Sequence, residues 1–130
     1  MISRNHEVVV AFFCYLAFVV YGSLLPFELR SHSLADAIEQ FRHIPFLNLG
    51  VVSRADWVAN ILLYIPLAFL GCASVAGIRG LKLSRSFAVG LVIVFCLGVA
   101  VAVEFTQQFF APRTVSLNDL VAESIGTIIG

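Results

Sequence analysis

The sequence predicts an all-α protein, a polytopic bundle of transmembrane helices, from its composition and from its long uncharged runs. Hydrophobic residues make up 60% of the 130-residue chain, charged residues make up 12%, and the mean hydropathy is +0.98. Soluble domains carry about 25% charged residues, so this chain has too little charge to cover a water-facing surface. The composition therefore excludes an ordinary soluble domain and a disordered chain, and it indicates a protein embedded in a lipid bilayer.

Three uncharged runs are long enough to cross the bilayer as helices. A crossing needs about 20 apolar residues, because the hydrocarbon core is about 30 Å thick. Proline ends the first run and follows the third, at Pro26 and Pro112. The uncharged runs cover residues 8–25, 57–77 and 87–103. Because no helix breaker occurs between residue 103 and Pro112, the third span is predicted to continue past its uncharged run, over residues 87–110.

A fourth apolar run begins at Leu120 and reaches the last residue, Gly130. A helix from Asp119 to Gly130 measures roughly 18 Å, which is shorter than the bilayer is thick. We therefore expect an incomplete fourth span over residues 119–130, in a natural protein that continues past Gly130. A re-entrant half-helix is the alternative interpretation. Residues 1–130 are predicted to form one membrane domain.

The distribution of positive charge predicts the orientation. Loop 78–86 carries three basic residues and no acidic one, and such loops face the cytoplasm. The N-terminus is then cytoplasmic, and loops 26–56 and 111–118 lie outside. Within loop 26–56, Ser33 is a predicted N-cap and Asp36 lies in the first turn of a short amphipathic helix, which lies on the membrane surface or over the bundle.

Polar side chains from three predicted spans fall at the same depth, near the outer surface. A carboxyl group within a span is costly, by about 2.5–3.5 kcal/mol at the membrane centre, and indicates a functional site by default. Glu104 is such a group, roughly 9 Å below the outer end of its span. The candidate functional cluster is Asp56, Asn60, Glu104, Gln107, Arg113 and Asp119, with Gln108 and Glu123 as secondary members.

Functional and structural interpretations of this cluster both remain open. We predict that Glu104 pairs with Arg113, with Asn60 as a neutral hydrogen-bond partner. The structural alternatives are a plain ion pair at Glu104, a contact between helices at Asn60, and helix caps at Asp56 and at Asn118 or Asp119. The spacing of the acids matches no known ligand pattern, so we predict no metal and no cofactor.

Two blocks of the sequence form a recognisable joint pattern. The first is Asp56-x-x-x-Asn60 with Pro66, the second is Glu104-x-x-Gln107 with Arg113 and Asp119, and Gly126 and Gly130 follow in the fourth span. These blocks resemble the VanZ-like membrane protein family, and the segment from Tyr21 to Phe27 resembles a proteobacterial branch of it. Two positions depart from the family pattern: Ala68 replaces a frequent Gly after Pro66, and Glu123 lies where the family often has Asn. The resemblance implies a bacterial inner-membrane protein of the cell envelope, similar to a protein linked with resistance to the glycopeptide teicoplanin.

Three classes of function remain open at this stage. The first is an envelope-modifying or drug-protection protein of the VanZ type, in which Arg113 binds a lipid headgroup or a lipid-linked cell-wall precursor and Glu104 exchanges a proton. The second is an intramembrane enzyme, which we favour less because no catalytic triad is recognisable. The third is a transport or assembly scaffold subunit. Eight basic and eight acidic residues cancel, so no nucleic-acid partner is expected; the oligomeric state is not predicted.

Overall fold

The computed structural model describes residues 3–48, 50–78 and 84–130, and helices dominate this part of the chain. Two short strands pair antiparallel, with Glu28 opposite Ala111 and Leu29 opposite Phe110. The predicted all-α class is confirmed. The elements in chain order are α1 (Ser3–Leu24), β1 (Glu28–Leu29), α2 (Leu34–Arg42), α3 (Val51–Ala76), α4 (Arg85–Gln107), β2 (Phe110–Ala111) and α5 (Leu117–Ile129).

Three helices of the described chain are long and apolar enough to cross a membrane, over Asn5–Leu24, Arg54–Ala76 and Arg85–Gln107. Their outer sides expose large apolar side chains, such as Phe13 at 58% and Val94 at 68%. Exposing such a surface to water is unfavourable, and contact with lipid removes it from water. The protein is therefore a multi-pass membrane protein in contact with lipid. Most of loop 78–86, from which the orientation is predicted, lies outside the described residues.

Helices α1 and α3 begin before the predicted spans, and α4 ends before the third one does. Helix α1 begins at Ser3 instead of residue 8. Helix α3 begins at Val51 instead of residue 57, because residues 51–56 contain no helix breaker even though they carry charge. Helix α4 ends at Gln107 instead of residue 110, so the third span is shorter than predicted. The reason is that the chain from Phe109 to Ala111 pairs with the chain after α1 and is therefore extended.

Helices α3 and α5 pack closely through Gly126 and Gly130. A Cβ atom added at Gly126 would lie 2.9 Å from the Cβ of Tyr64, and one added at Gly130 would lie 2.9 Å from the carbonyl carbon of Ile65. Only glycine permits so close an approach of two helices. Gly126 and Gly130, four residues apart at the end of α5, thus mark a packing interface with α3. The buried residues Tyr64, Leu67 and Ala68 of α3 form its inner side.

The short helix α2 docks on the side of α4. Its Ser33 cap is confirmed, since the Ser33 hydroxyl accepts a hydrogen bond from the Asp36 N–H at 3.1 Å. Ala37 is fully buried, and the ring of Phe41 packs edge-on against Phe105 with centroids 5.5 Å apart. A helix this short is marginal alone, so this docking stabilises it.

The strand pair joins the chain after α1 to the chain after α4. The Arg30 N–H extends the pairing by donating to the Phe109 carbonyl at 2.8 Å. The C-terminal ends of α1 and α4 therefore meet the N-terminal ends of α3 and α5 at one end of the bundle. We call this the polar end, because the predicted functional cluster lies there.

Candidate functional site

The C-terminal end of α1 leaves two backbone carbonyls without helical partners. Pro26 has no N–H, so it cannot bond to the carbonyl of Gly22, and the Phe27 N–H bonds to Leu24 instead of Ser23. The side chains of Arg113 and Gln107, which lie far along the chain, donate hydrogen bonds to these two carbonyls. Arg113 Nη2 donates to the Gly22 carbonyl at 3.3 Å, and Gln107 Nε2 donates to the Ser23 carbonyl at 2.8 Å.

Arg113 is fixed by a second bond, from its Nε to the Leu25 carbonyl at 2.8 Å. The guanidinium has five N–H donors, and these two bonds leave several of them available. A cationic side chain at the C-terminal end of a helix also interacts favourably with the helix dipole. Arg113 is thus both a cap of α1 and a positioned cation.

Asp119 links α3 to the start of α5. Its Oδ1 accepts from Asn60 Nδ2 at 2.9 Å, and its Oδ2 accepts from the Ser116 hydroxyl at 2.7 Å. Ser116 also caps α5, accepting from the Asp119 N–H at 3.4 Å. The predicted cap at Asn118 or Asp119 is therefore wrong, because the serine three residues before Asp119 has the better position. Asp56 is not a cap either, since it lies in the second turn of α3.

These side chains surround a polar cavity of about 530 Å³ at the polar end. Five of the six predicted cluster residues line it, and they come from α3, α4, α5 and the loop between α4 and α5. The end of α1 supplies the remaining wall. The five residues are Asp56, Asn60, Gln107, Arg113 and Asp119.

The lining of the polar cavity carries both signs of charge. Asp56 is exposed to the cavity mouth, and Asp119 and Arg113 are half-buried. A site of this kind offers donors for an anionic oxygen and acceptors for an ammonium or hydroxyl group. Among the described residues, no set of three or more His, Cys, Asp or Glu side chains is placed to hold a metal ion.

Glu104 lies beneath the cavity and does not line it. It is 2% exposed, and its carboxyl faces the backbone N–H of Ser116 and the side chains of Asp119 and Arg113. The predicted Glu104–Arg113 ion pair is absent from the described chain, because Arg113 turns to the carbonyls of α1. The predicted bond from Asn60 is also wrong, since Asn60 bonds to Asp119.

The two secondary residues lie apart from the polar cavity. Glu123 is 2% exposed and lies near Glu104 and Tyr64, deeper in the bundle. Within the described residues, Glu104 Oε2, Glu123 Oε2 and the Tyr64 hydroxyl have no hydrogen-bond partner. Gln108 is also buried, but it faces a second pocket, described below.

Sequence reasoning missed the structural role of Asn118. This side chain is 2% exposed and forms two bonds to the backbone of Leu47, from the Leu47 N–H to Oδ1 at 2.7 Å and from Nδ2 to the Leu47 carbonyl at 3.0 Å. Nothing in the spacing of the residues signals this pairing. The role of Ser116, in contrast, could have been recognised from its position three residues before Asp119.

Apolar spanning helices whose ends enclose a polar cavity define a small multi-pass membrane protein with a polar site at one end. The chain belongs to the VanZ/LLP1 family, whose model matches residues 9–130. No curated protein and no solved structure matches the chain. The predicted family is confirmed, and the match covers every residue of the polar cavity.

Proposed function

We propose that this protein is an envelope protein of the bacterial inner membrane, and that its polar cavity opens to the outside. There it binds the polar headgroup of a lipid or of a lipid-linked cell-wall precursor and lowers sensitivity to glycopeptides of the teicoplanin type. The observation that carries the proposal is the polar cavity, walled by Asp56, Asn60, Gln107, Arg113 and Asp119.

The composition of the cavity wall suits a headgroup. Arg113 presents unused guanidinium donors to an anionic oxygen. Asp56 and Asp119 present acceptors to hydroxyl or ammonium groups. The apolar sides of the helices below the polar end leave the acyl chain of the same molecule in the bilayer.

The enzyme alternative receives less support from the site. Its nucleophile would be a hydroxyl group close to the cavity, and Ser116 is the nearest to the carboxylates. The Ser116 hydroxyl donates to Asp119 and caps α5, and Ser116 does not line the cavity. Thr114 lines the cavity, but it forms no hydrogen bond with a carboxylate in the described chain. A scaffold subunit, as the third alternative, would depend on the packing of the helices and not on Asp56.

Asp56→Asn tests the proposal with little risk to the fold, because Asp56 is exposed while Arg113 and Asp119 also hold helices together. Full-length protein is expressed in a glycopeptide-sensitive host, and teicoplanin susceptibility is compared with empty vector at equal membrane levels. We expect wild-type protein to protect. Loss of a charged hydrogen bond weakens ligand binding by about ten-fold, so Asp56→Asn should lose most of the protection.

The matched control is Glu28→Gln, which also neutralises an exposed acid at the polar end but lies outside the cavity. It should protect as well as wild type. Absence of protection by wild-type protein would contradict the resistance function. Equal protection by wild type and Asp56→Asn would contradict the role of the cavity.

A further inference from the structure

A second pocket, of about 290 Å³, shares Arg113 and Thr114 with the polar cavity. Its polar wall contains Arg30, Gln40 and Gln108, and α2 and the following loop form its apolar side. We call it the arginine pocket. It is a separate space from the polar cavity, and none of the predicted cluster residues except Arg113 lines both.

The arginine pocket has a different charge from the polar cavity. Two guanidinium groups, from Arg30 and Arg113, line it, and no acidic residue of the described chain does. Neither arginine forms an ion pair with an acid in the described residues. Two guanidinium groups that form no ion pair attract an anion, and their planar donors match the oxygens of phosphate.

Gln108 provides an independent indication that a ligand is bound here. This side chain is 7% exposed, and both its Nε2 and Oε1 atoms are buried without a hydrogen-bond partner among the described residues. Buried amide groups in proteins are nearly always paired, and an unpaired one calls for an explanation. A bound oxyanion would accept from Nε2, and a hydroxyl group of the same ligand would donate to Oε1.

Hydrogen bonds hold the backbone of Arg30 and the guanidinium of Arg113 in place. Arg30 follows β1, and its N–H bonds to the Phe109 carbonyl, next to Gln108 in the chain. The bonds from Arg113 to the carbonyls of Gly22 and Leu25 hold its guanidinium. Groups that are fixed before a ligand arrives bind it with less loss of entropy.

We propose that the arginine pocket binds a phosphate group between Arg30 and Arg113, with Gln108 Nε2 and the Thr114 hydroxyl as further donors. The phosphate belongs to an envelope lipid or is free in solution. The inference rests on the proposed function in expecting an envelope molecule at the polar end. It deepens that function by naming the chemical group and the pocket that holds it.

The test is binding to the purified full-length protein in an uncharged detergent, followed by native mass spectrometry. The probes are inorganic phosphate, phosphatidic acid, and diacylglycerol with the same acyl chains. We expect phosphatidic acid to bind and diacylglycerol to bind far more weakly. Binding of inorganic phosphate as well would identify the phosphate alone as sufficient, whereas binding of phosphatidic acid only would identify a lipid as the source.

Arg30→Gln and Gln108→Leu should each weaken the binding of phosphatidic acid by about ten-fold. The control Arg54→Gln removes an exposed arginine at the same end that lines neither pocket, and it should leave binding unchanged. Gln108→Leu also separates a binding role from a structural one. Because it removes unpaired buried polar atoms, the melting temperature of the ligand-free protein should stay the same or rise while binding falls.

Two results would overturn the inference. One is equal binding of diacylglycerol and phosphatidic acid. The other is an equal effect of Arg30→Gln, Gln108→Leu and Arg54→Gln on phosphate binding. If phosphate binding fails while Asp56→Asn still loses teicoplanin protection, the proposed function survives and the phosphate site in the arginine pocket does not. If phosphate binds while Asp56→Asn protects as well as wild type, the phosphate site survives and the proposed role of the polar cavity does not.

Discussion

Gly126→Ala is expected to destabilise the bundle severely, whereas Gly98→Ala leaves it unchanged or slightly more stable. The added Cβ at Gly126 would overlap the carbonyl oxygen of Ile61 and approach the Cβ of Tyr64 to 2.9 Å. These atoms are backbone and Cβ atoms that no rotamer change can move. Helices α3 and α5 would have to separate, which reduces the free energy of unfolding by about 1–3 kcal/mol or more.

Gly98 supplies the matched control for this prediction. It lies inside α4, and apart from its chain neighbours and the backbone of its own helix no described atom lies within 4 Å of a Cβ added there. Alanine should then stabilise the helix by up to about 1 kcal/mol. Thermal unfolding of both variants in detergent, followed by circular dichroism, checks the prediction. Equal melting temperatures for Gly126→Ala and Gly98→Ala would mean that α3 and α5 are not packed as described.

Asn118→Asp is expected to release the segment that precedes α3 from the bundle. The new carboxylate keeps an acceptor for the Leu47 N–H but loses the donor to the Leu47 carbonyl, and it brings two oxygens together instead. The site is buried, so the unpaired groups cost about 1–3 kcal/mol, and more if the carboxylate is charged. The bond from the Leu117 N–H to the Pro45 carbonyl, at 2.9 Å, should weaken together with this pair.

Hydrogen exchange measured by mass spectrometry over residues 44–48 reports this release directly. The amide of Leu47 should exchange much faster in Asn118→Asp than in wild type. Asn48→Asp is the control, because it makes the same chemical change at an exposed position one residue away from Leu47. Equal exchange rates in the two variants would show that Asn118 does not hold the loop.

Features that depend on local pattern were predictable from the sequence. Run length and missing charge indicated the spanning helices, and the Ser33 cap followed from its spacing to Asp36. The close approach at Gly126 and Gly130 followed from two glycines on one helix face. The meeting of polar residues from separate spans was predictable from their spacing along the spans and from the positive charge of loop 78–86, because a bilayer restricts helices to a few orientations.

The partners of those polar residues were not predictable, because they depend on how distant segments pack. Pro26 predicts that the Gly22 carbonyl has no partner within its helix. The sequence does not reveal that Arg113, far along the chain, donates a hydrogen bond to this carbonyl. The arrangement that turns Arg113 away from Glu104 is set by the β1–β2 pairing, and two-residue strands leave no pattern in the sequence. The pocket that Gln108 faces and the bonds from Asn118 to Leu47 were not predictable for the same reason.

The proposed function requires that the polar end faces the outside, and cysteine accessibility in intact cells tests this orientation directly. In a variant lacking Cys14, Cys72 and Cys96, single cysteines are introduced as Thr114→Cys at the polar end and Arg85→Cys at the opposite end, both exposed positions. A membrane-impermeant maleimide is then added. We expect Thr114→Cys to react in intact cells and Arg85→Cys to react only after permeabilisation. The reverse pattern would place the polar cavity in the cytoplasm and contradict the proposed function.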